Sequence, residues 1–225
     1  MMLEIKAVKQ DRKERSRFHI YGEDEEAVLT VHEDLLIKYR LLKGRTLTDS
    51  ELEQIREEDN RYRTYALAVA YLGARPRTRK QLEQYLQRKA FEEEHISAAL
   101  ERLENEHFVD DDEYARQFAL QRIKYAHKGR RWIKQELQLR GVSKQAAASA
   151  AEAIDKGAEL EAAIIAAGKK WRSLKGEERD RRMKLMAFLM RRGFPGDIVK
   201  EAVRSVLERA AAEAADDDDG LMLDN

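Results

Sequence analysis

Three stretches of this chain carry the same apolar pattern, and any fold it adopts has to honour that repeat. Phe91, Val142 and Phe194 serve as equivalent positions, at intervals of 51 and 52 residues. Nine residues before them stand Leu82, Ile133 and Leu185, and five before stand Leu86, Leu137 and Leu189. After them, His95-Ile96, Ala146-Ala147 and Ile198-Val199 are followed by Ala99-Leu100, Ala150-Ala151 and Ala202-Val203, then by Leu103, Ile154 and Val206. Offsets of four, five, eight, nine and twelve trace one face of an α-helix. The spacing therefore predicts three helical units of about 50 residues each, stacked so that neighbours share one core and present one continuous face. The middle copy is the most complete. It places a basic hinge, His127-Lys128-Gly129-Arg130-Arg131, between two helical patterns and ends in Arg140-Gly141-Val142. Gly141 stands where a helix C-terminus favours positive φ, and Arg140 where the last carbonyls favour a cation.

The expected fold class is mainly α: an elongated array of three tandem three-helix repeats with a small β-containing N-terminal domain. Residues 1–60 form the N-terminal domain, 61–110 repeat one, 111–155 repeat two, 156–212 repeat three and 213–225 an acidic disordered tail. Within 1–60, Leu3–Val8, Arg17–Tyr21 and Ala27–Val31 alternate as strands do, with Gly22-Glu23-Asp24 as a hairpin turn. A helix is expected from about His32 to Leu41. Thr48 with Glu51 makes a capping box that opens a helix to about Glu58. Repeat one should begin with a separate helix over 62–72 that uses Ala66, Val69, Ala70 and Leu72 as contacts. Gly73–Pro76 ends it, and a second capping box, Thr78 with Gln81, opens the next helix. Ala90 stands where the other repeats have glycine. Since alanine is strained at positive φ, that turn is expected to close differently.

Composition narrows the function. No cysteine is present, which removes disulfides and thiolate metal sites, and no apolar run is long enough to span a membrane. Without a signal-peptide stretch the expected location is the cytoplasm. The net charge of zero hides a split: residues 213–225 hold six acids and no base, so the remaining 212 residues carry +6. Within 156–207 there are 13 bases against 7 acids, a balance that suits a polyanion or an acidic protein surface.

Arg79, Arg130 and Arg182 stand twelve residues before each anchor, near a helix start, where a cation opposes the macrodipole. Local stability does not account for them, which points to binding. Around them cluster Arg75, Arg77 and Lys80; Lys124, Lys128, Arg131 and Lys134; and Lys169, Lys170, Arg172 and Arg181. Stacked in register, these residues would line one edge, the electrostatic footprint expected for phosphates. Lys89, Arg140 and Arg192, two before each anchor, suit helix C-termini. Asp110-Asp111-Asp112 reads as an N-cap with dipole-favoured acids behind it rather than a metal site. The histidines show no ligand spacing, and His95 lies on an apolar face. Trp132 and Trp171 are candidates for stacking on bases, but each lies on a helical pattern that favours packing. No phosphate loop or nucleophile–base set appears, so neither an enzyme nor a cofactor is expected.

The phrase Asp111-Asp112-x-Tyr114-Ala115-x-x-Phe118, with Arg122, Lys128-Gly129, Glu136-Leu137 and Arg140-Gly141-Val142, resembles the signature of the bacterial RecX family. So does Arg77-Thr78-x-x-Gln81-Leu82. The resemblance runs from about residue 62 to 207, and Leu42-Lys43-Gly44-x-x-Leu47 is similar to the N-terminal extension of Gram-positive-type members. It implies three-helix repeats that bind in the groove of the RecA recombinase filament on DNA, restrain its ATP hydrolysis and strand exchange, and in some members bind single- or double-stranded DNA. A monomer without membrane contact is expected. A helix-turn-helix DNA-binding protein and a helical scaffold for another protein are the alternatives.

Overall fold

The computed structural model describes residues 2–221, with side chains to residue 212. The chain divides into two compact units, Met1–Pro76 with Leu82–Phe108 and Arg77–Gln81 with Val109–Asn225.

In the first unit the N-terminal residues make five short strands. β1 (Met2–Glu4) pairs antiparallel with β5 (Thr46–Thr48), and β2 (Ala7–Gln10), β3 (Arg17–Tyr21) and β4 (Ala27–His32) form a three-stranded antiparallel sheet in that order. The single strand expected over Leu3–Val8 is thus two. The chain turns at Ile5, whose side chain is fully buried and whose backbone N–H donates to the Arg45 carbonyl at 2.9 Å. β5 escaped the sequence reading because three residues show no period. Ile5, Ile20, Leu29, Val31, Leu35, Leu41, Leu47, Leu52 and Ile55 make the core of this part, under α1 (Glu33–Lys38) and the start of α2 (Asp49–Ala74).

The Thr48–Glu51 capping box opens α2 as expected, but the helix runs 26 residues without a break. The boundary placed at residue 60 falls inside it, because nothing in Glu57–Tyr62 is a glycine or proline that would stop a helix. Its two halves bury roughly opposite sides at 100° per residue: Leu52, Ile55 and Asp59 first, then Thr64 and Ala68. Ala66, Val69 and Ala70, expected as contacts, are exposed. The early half is fastened by a buried ion pair. Arg17 Nη2 donates to Asp59 Oδ2 at 2.7 Å and to the Thr30 carbonyl at 2.9 Å, and the His32 N–H donates to Asp59 Oδ1 at 3.0 Å. The rest of repeat one is α3 (Arg79–Arg88) and α4 (Glu93–Asn105), which bury Leu82, Leu86, Ile96, Ala99, Leu100 and Leu103.

The second unit contains α5 (Asp111–Lys124), α6 (Arg130–Leu139), α7 (Lys144–Glu152), α8 (Lys156–Ser173), α9 (Glu178–Arg191) and α10 (Gly196–Leu221). The backbone of α10 stays helical to Leu221 where a disordered tail was expected from 213; Ala210–Ala215 is rich in the strongest helix former. Residues 222–225 and the side chains from 213 onward lie outside the described residues. One continuous core holds the unit, including Ile133, Leu137, Val142, Leu185, Leu189 and Phe194.

The repeat register holds in detail. Leu82, Ile133 and Leu185, and Leu86, Leu137 and Leu189, are all fully buried. Each second helix ends in the same left-handed turn, with φ of 60° at Ala90, 94° at Gly141 and 87° at Gly193. The N–H groups of Phe91, Val142 and Phe194 donate back to Leu86, Leu137 and Leu189 at 3.4, 3.1 and 3.3 Å. The turn at Ala90 therefore closes like the others, contrary to expectation. Alanine reaches left-handed φ at a modest cost, and Ala90 is exposed.

Candidate functional site

Within the second unit the start of one second helix rests on the end of the next. The Thr78 hydroxyl completes its capping box with Gln81 (N–H to Oγ1 3.2 Å) and donates to the Arg140 carbonyl at 2.6 Å. One repeat later the Gly129 N–H donates to the Arg192 carbonyl at 2.9 Å, and the Arg131 N–H to the Gly193 carbonyl at 3.1 Å. An acid from the first turn of a following helix takes the first amide in each case. The Arg79 N–H donates to Asp111 Oδ1 at 2.9 Å, and the Arg130 N–H to Glu159 Oε1 at 2.8 Å. The Asp110 side chain caps α5 as expected, accepting from the Glu113 N–H.

Of the three arginines twelve residues before the anchors, Arg130 has a structural role that its position at a helix start did not suggest. Arg130 Nε donates to Glu159 Oε2 at 2.6 Å, and Glu159 is fully buried. A buried carboxylate without this partner would be costly, so stability does account for Arg130. Arg79 is half-buried beside the same kind of joint, while Arg182 is exposed in α9.

The basic residues that come together do so around the hinge instead. His127 has a φ of 47° and leads from the end of α5 into α6. Arg192 reaches back across this bend, its Nε donating to the His127 carbonyl at 2.9 Å and its Nη2 to the Ala126 carbonyl. Arg192 thus holds the carbonyls of the turn that follows α5, not those of its own helix. The Lys128 ammonium lies 4.4 Å from the centre of the Trp132 ring, and Arg122 and Arg140 flank Phe118 at 4.7 and 4.8 Å. Arg140 is neutralised by Glu136 at 2.8 Å, but Arg122, Lys128, Lys169 and Arg192 have no carboxylate at ion-pair distance among the described residues. Nε of Arg122 and Nδ1 of His127 are buried without a hydrogen-bond partner.

The electrostatics register the crowding. Burial, then Lys169 and Arg192, hold the His127 imidazole below its ordinary pKa. Burial, then Arg192 and Arg122, lower the Lys128 ammonium, against a weak opposing pull from Glu136. Burial alone lowers Arg192. A partly dry cluster of like charges is stabilised by an anion, since each cation gains a partner it lacks. Beside it α5 and α8 enclose a groove of about 710 Å³, lined in part by Lys124, Leu120, Tyr125, His127 and Ile165.

The other expected residues are scattered by comparison. Lys124, Arg131, Lys134, Arg172 and Arg182 are exposed, as are Arg75 and Lys80, and Arg77 is half-buried. Arg181 stacks on Trp171 at 3.8 Å and Lys170 lies 5.8 Å from the Phe188 ring. Trp171 is buried in the core with Trp132 packed against it, as expected. Sequence reasoning left His127 and Arg122 out of the binding residues, and took Arg192 for a cap of its own helix. The available signal was local: His127 and Lys128 precede the glycine that opens α6, and Arg122 lies one turn before them.

No helix among the described residues is long and apolar enough to cross a membrane. Three family models match this chain: the first three-helix domain of RecX over residues 65–103, the second over 110–150 and the third over 158–203. The regulatory protein RecX of Oceanobacillus iheyensis is 29% identical over 91% of this chain and 77% of its own length. That of Listeria monocytogenes is 28% identical over 89% and 74%. A crystal structure of regulatory protein RecX superposes with a TM-score of 0.69 at 26% identity, covering 88% of this chain and 97% of the other. The crystal structure of RecX from Lactobacillus salivarius gives 0.62 at 25% identity, covering 66% and 97%.

Proposed function

The chain belongs to the RecX family of regulatory proteins, and from that premise we propose that it binds the RecA recombinase filament on DNA and modulates its ATP hydrolysis and strand exchange. It acts by occupying the filament, with no chemistry of its own. The observation that carries this reading is the uncompensated basic cluster of Arg122, Lys128, Lys169 and Arg192 around His127, held at the joint between two repeats. A backbone phosphate, or an acidic side chain of the filament, is the partner these cations lack. Lys124, Arg131, Lys134, Arg172 and Arg182 are exposed and open to the same partner, and Lys170 and Arg181 stand beside aromatic rings. Arg75, Arg77, Arg79 and Lys80 supply the basic residues of the first repeat.

The test measures RecA-filament ATPase with this protein at sub-stoichiometric and saturating amounts, for the wild type and for the Lys128→Ala/Lys169→Ala double variant. Wild type should change the rate, and the double variant should need a higher concentration for the same effect. Each lost phosphate contact should reduce the magnitude of the log K versus log[salt] slope by about 0.7–0.9. If filament binding weakens while affinity for naked DNA stays the same, the partner is an acidic protein side chain. An ATPase rate unmoved by saturating wild-type protein would overturn the reading and favour a scaffold for another protein.

A further inference from the structure

The first unit contains a side-chain cluster for which the regulatory reading has no use. His95 lies in the first turn of α4 and is 2% exposed, yet neither ring nitrogen has a hydrogen-bond partner. Buried polar groups are almost always paired, so an imidazole unsatisfied at both ends marks an absent partner. The repeat register makes the residue stranger. The equivalent positions are Ala146 and Ile198, so packing alone asks for an apolar side chain there.

Two carboxylates face this ring. Glu57 projects from α2, its Oε2 3.3 Å from His95 Nε2 but out of line for a hydrogen bond. Glu92 is the residue that precedes α4, and its side chain caps no amide. One ligand atom from each of Glu57, Glu92 and His95 lies within 4.8 Å of the others. Glu92 and His95 are three apart, the helical spacing that puts a carboxylate and an imidazole on one side of a helix and recurs as Glu-x-x-His in metal-binding bundles.

We propose that Glu57, Glu92 and His95 bind one divalent first-row transition-metal ion, with zinc the best fit. One imidazole and two carboxylates are a zinc donor set, with bonds of about 2.0–2.2 Å and a fourth position left to water. The absence of thiolate disfavours cuprous ion, and the imidazole disfavours magnesium and calcium, which take oxygen ligands. Closing on the ion needs only small rotations, because Glu57 is half-buried and Glu92 exposed while the buried ring stays fixed. The ion would join α2 to the start of α4 and cross-link the first repeat.

The experiment uses the full chain, stripped with a chelator that is then removed, and titrated with zinc and separately with cobalt as a visible-absorption probe. One equivalent of zinc should bind at micromolar concentration and raise the thermal midpoint, since a ligand that binds only the folded state stabilises it. Cobalt should give the absorption bands of a low-coordinate site. Glu57→Gln and Glu92→Gln should each weaken zinc binding at least about tenfold and leave the metal-free midpoint nearly unchanged. His95→Ile, which copies Ile198, should fold and lose the binding. No saturable binding at micromolar zinc would overturn the proposal. So would one equivalent bound equally by all three variants, which would place the ion on another histidine, or complete displacement by millimolar magnesium.

Discussion

The backbone nitrogen of Trp132 lies 2.3 Å from where a Cβ on Gly193 would stand. Gly141 stands in the same relation to Lys80, whose Cβ would be 2.3 Å away. In both cases the start of one second helix is pressed onto the turn that ends the next, so the glycine is required twice, by its φ and by its missing side chain. Gly193→Ala should therefore destabilise by about 2–5 kcal/mol, combining the left-handed cost with overpacking against backbone. A urea midpoint close to wild type would mean the joint is looser than this geometry.

Ala90 occupies the same turn without the same neighbour. Its φ is 60° and it is exposed, so only the conformational cost is present. Ala90→Gly should stabilise by about 0.5–1 kcal/mol, the left-handed strain relieved less the extra freedom glycine gives the unfolded chain. Chemical denaturation of the pair Ala90→Gly and Gly193→Ala should show midpoints moving in opposite directions. Movement in the same direction would separate the first repeat's turn from the others.

Arg130 and Glu159 should behave as a structural pair. Glu159 is fully buried and takes both the amide and the guanidinium of Arg130. Arg130→Ala strands a carboxylate and should cost about 3–5 kcal/mol, whereas Arg182→Ala, at an exposed position, should stay within about 0.5 kcal/mol of wild type. Restoring neutrality with Arg130→Met/Glu159→Leu should recover much of the loss. Equal midpoints for the two single arginine variants would show that the Arg130–Glu159 pair does not support the fold.

What the sequence disclosed and what it hid follow from how far apart the partners are. Leu82, Leu86 and their equivalents were legible because a helical face repeats at short, fixed offsets, and the caps at Thr48, Thr78 and Asp110 because a cap is decided within four residues. The joints between repeats were not. Arg130 finds Glu159 at 29 residues' remove, and Arg192 finds Ala126 at 66. No period links such positions, so a charged residue with a buried partner looks the same in sequence as one waiting for a ligand. His95 failed in the other direction: its apolar neighbours hid that Glu57, on a different helix, faces its ring. The continuous α2 was missed because the change of buried face near Asn60 imitates a helix end.

His127 offers a direct reading of whether an anion fills the basic cluster. Burial, Lys169 and Arg192 lower its pKa from the ordinary 6.5, so the folded state binds this proton less readily than the unfolded chain. The contribution to stability is therefore complete above pH 6.5 and is lost as pH falls below it, because the unfolded chain takes up the proton first. A phosphate among Lys128, Lys169 and Arg192 reverses the local sign, since a nearby negative charge favours imidazolium. Binding of DNA or of the filament should then take up a proton and tighten as pH falls through the region below 6.5, by up to about tenfold for each unit by which the bound value rises. His127→Asn, which suits a φ of 47°, should flatten that dependence and keep the salt-dependent part of the affinity. NMR titration of the His127 ring, free and with a short oligonucleotide, measures both values directly. A ring that titrates at the same pH in both states would show that the anion binds elsewhere on the surface.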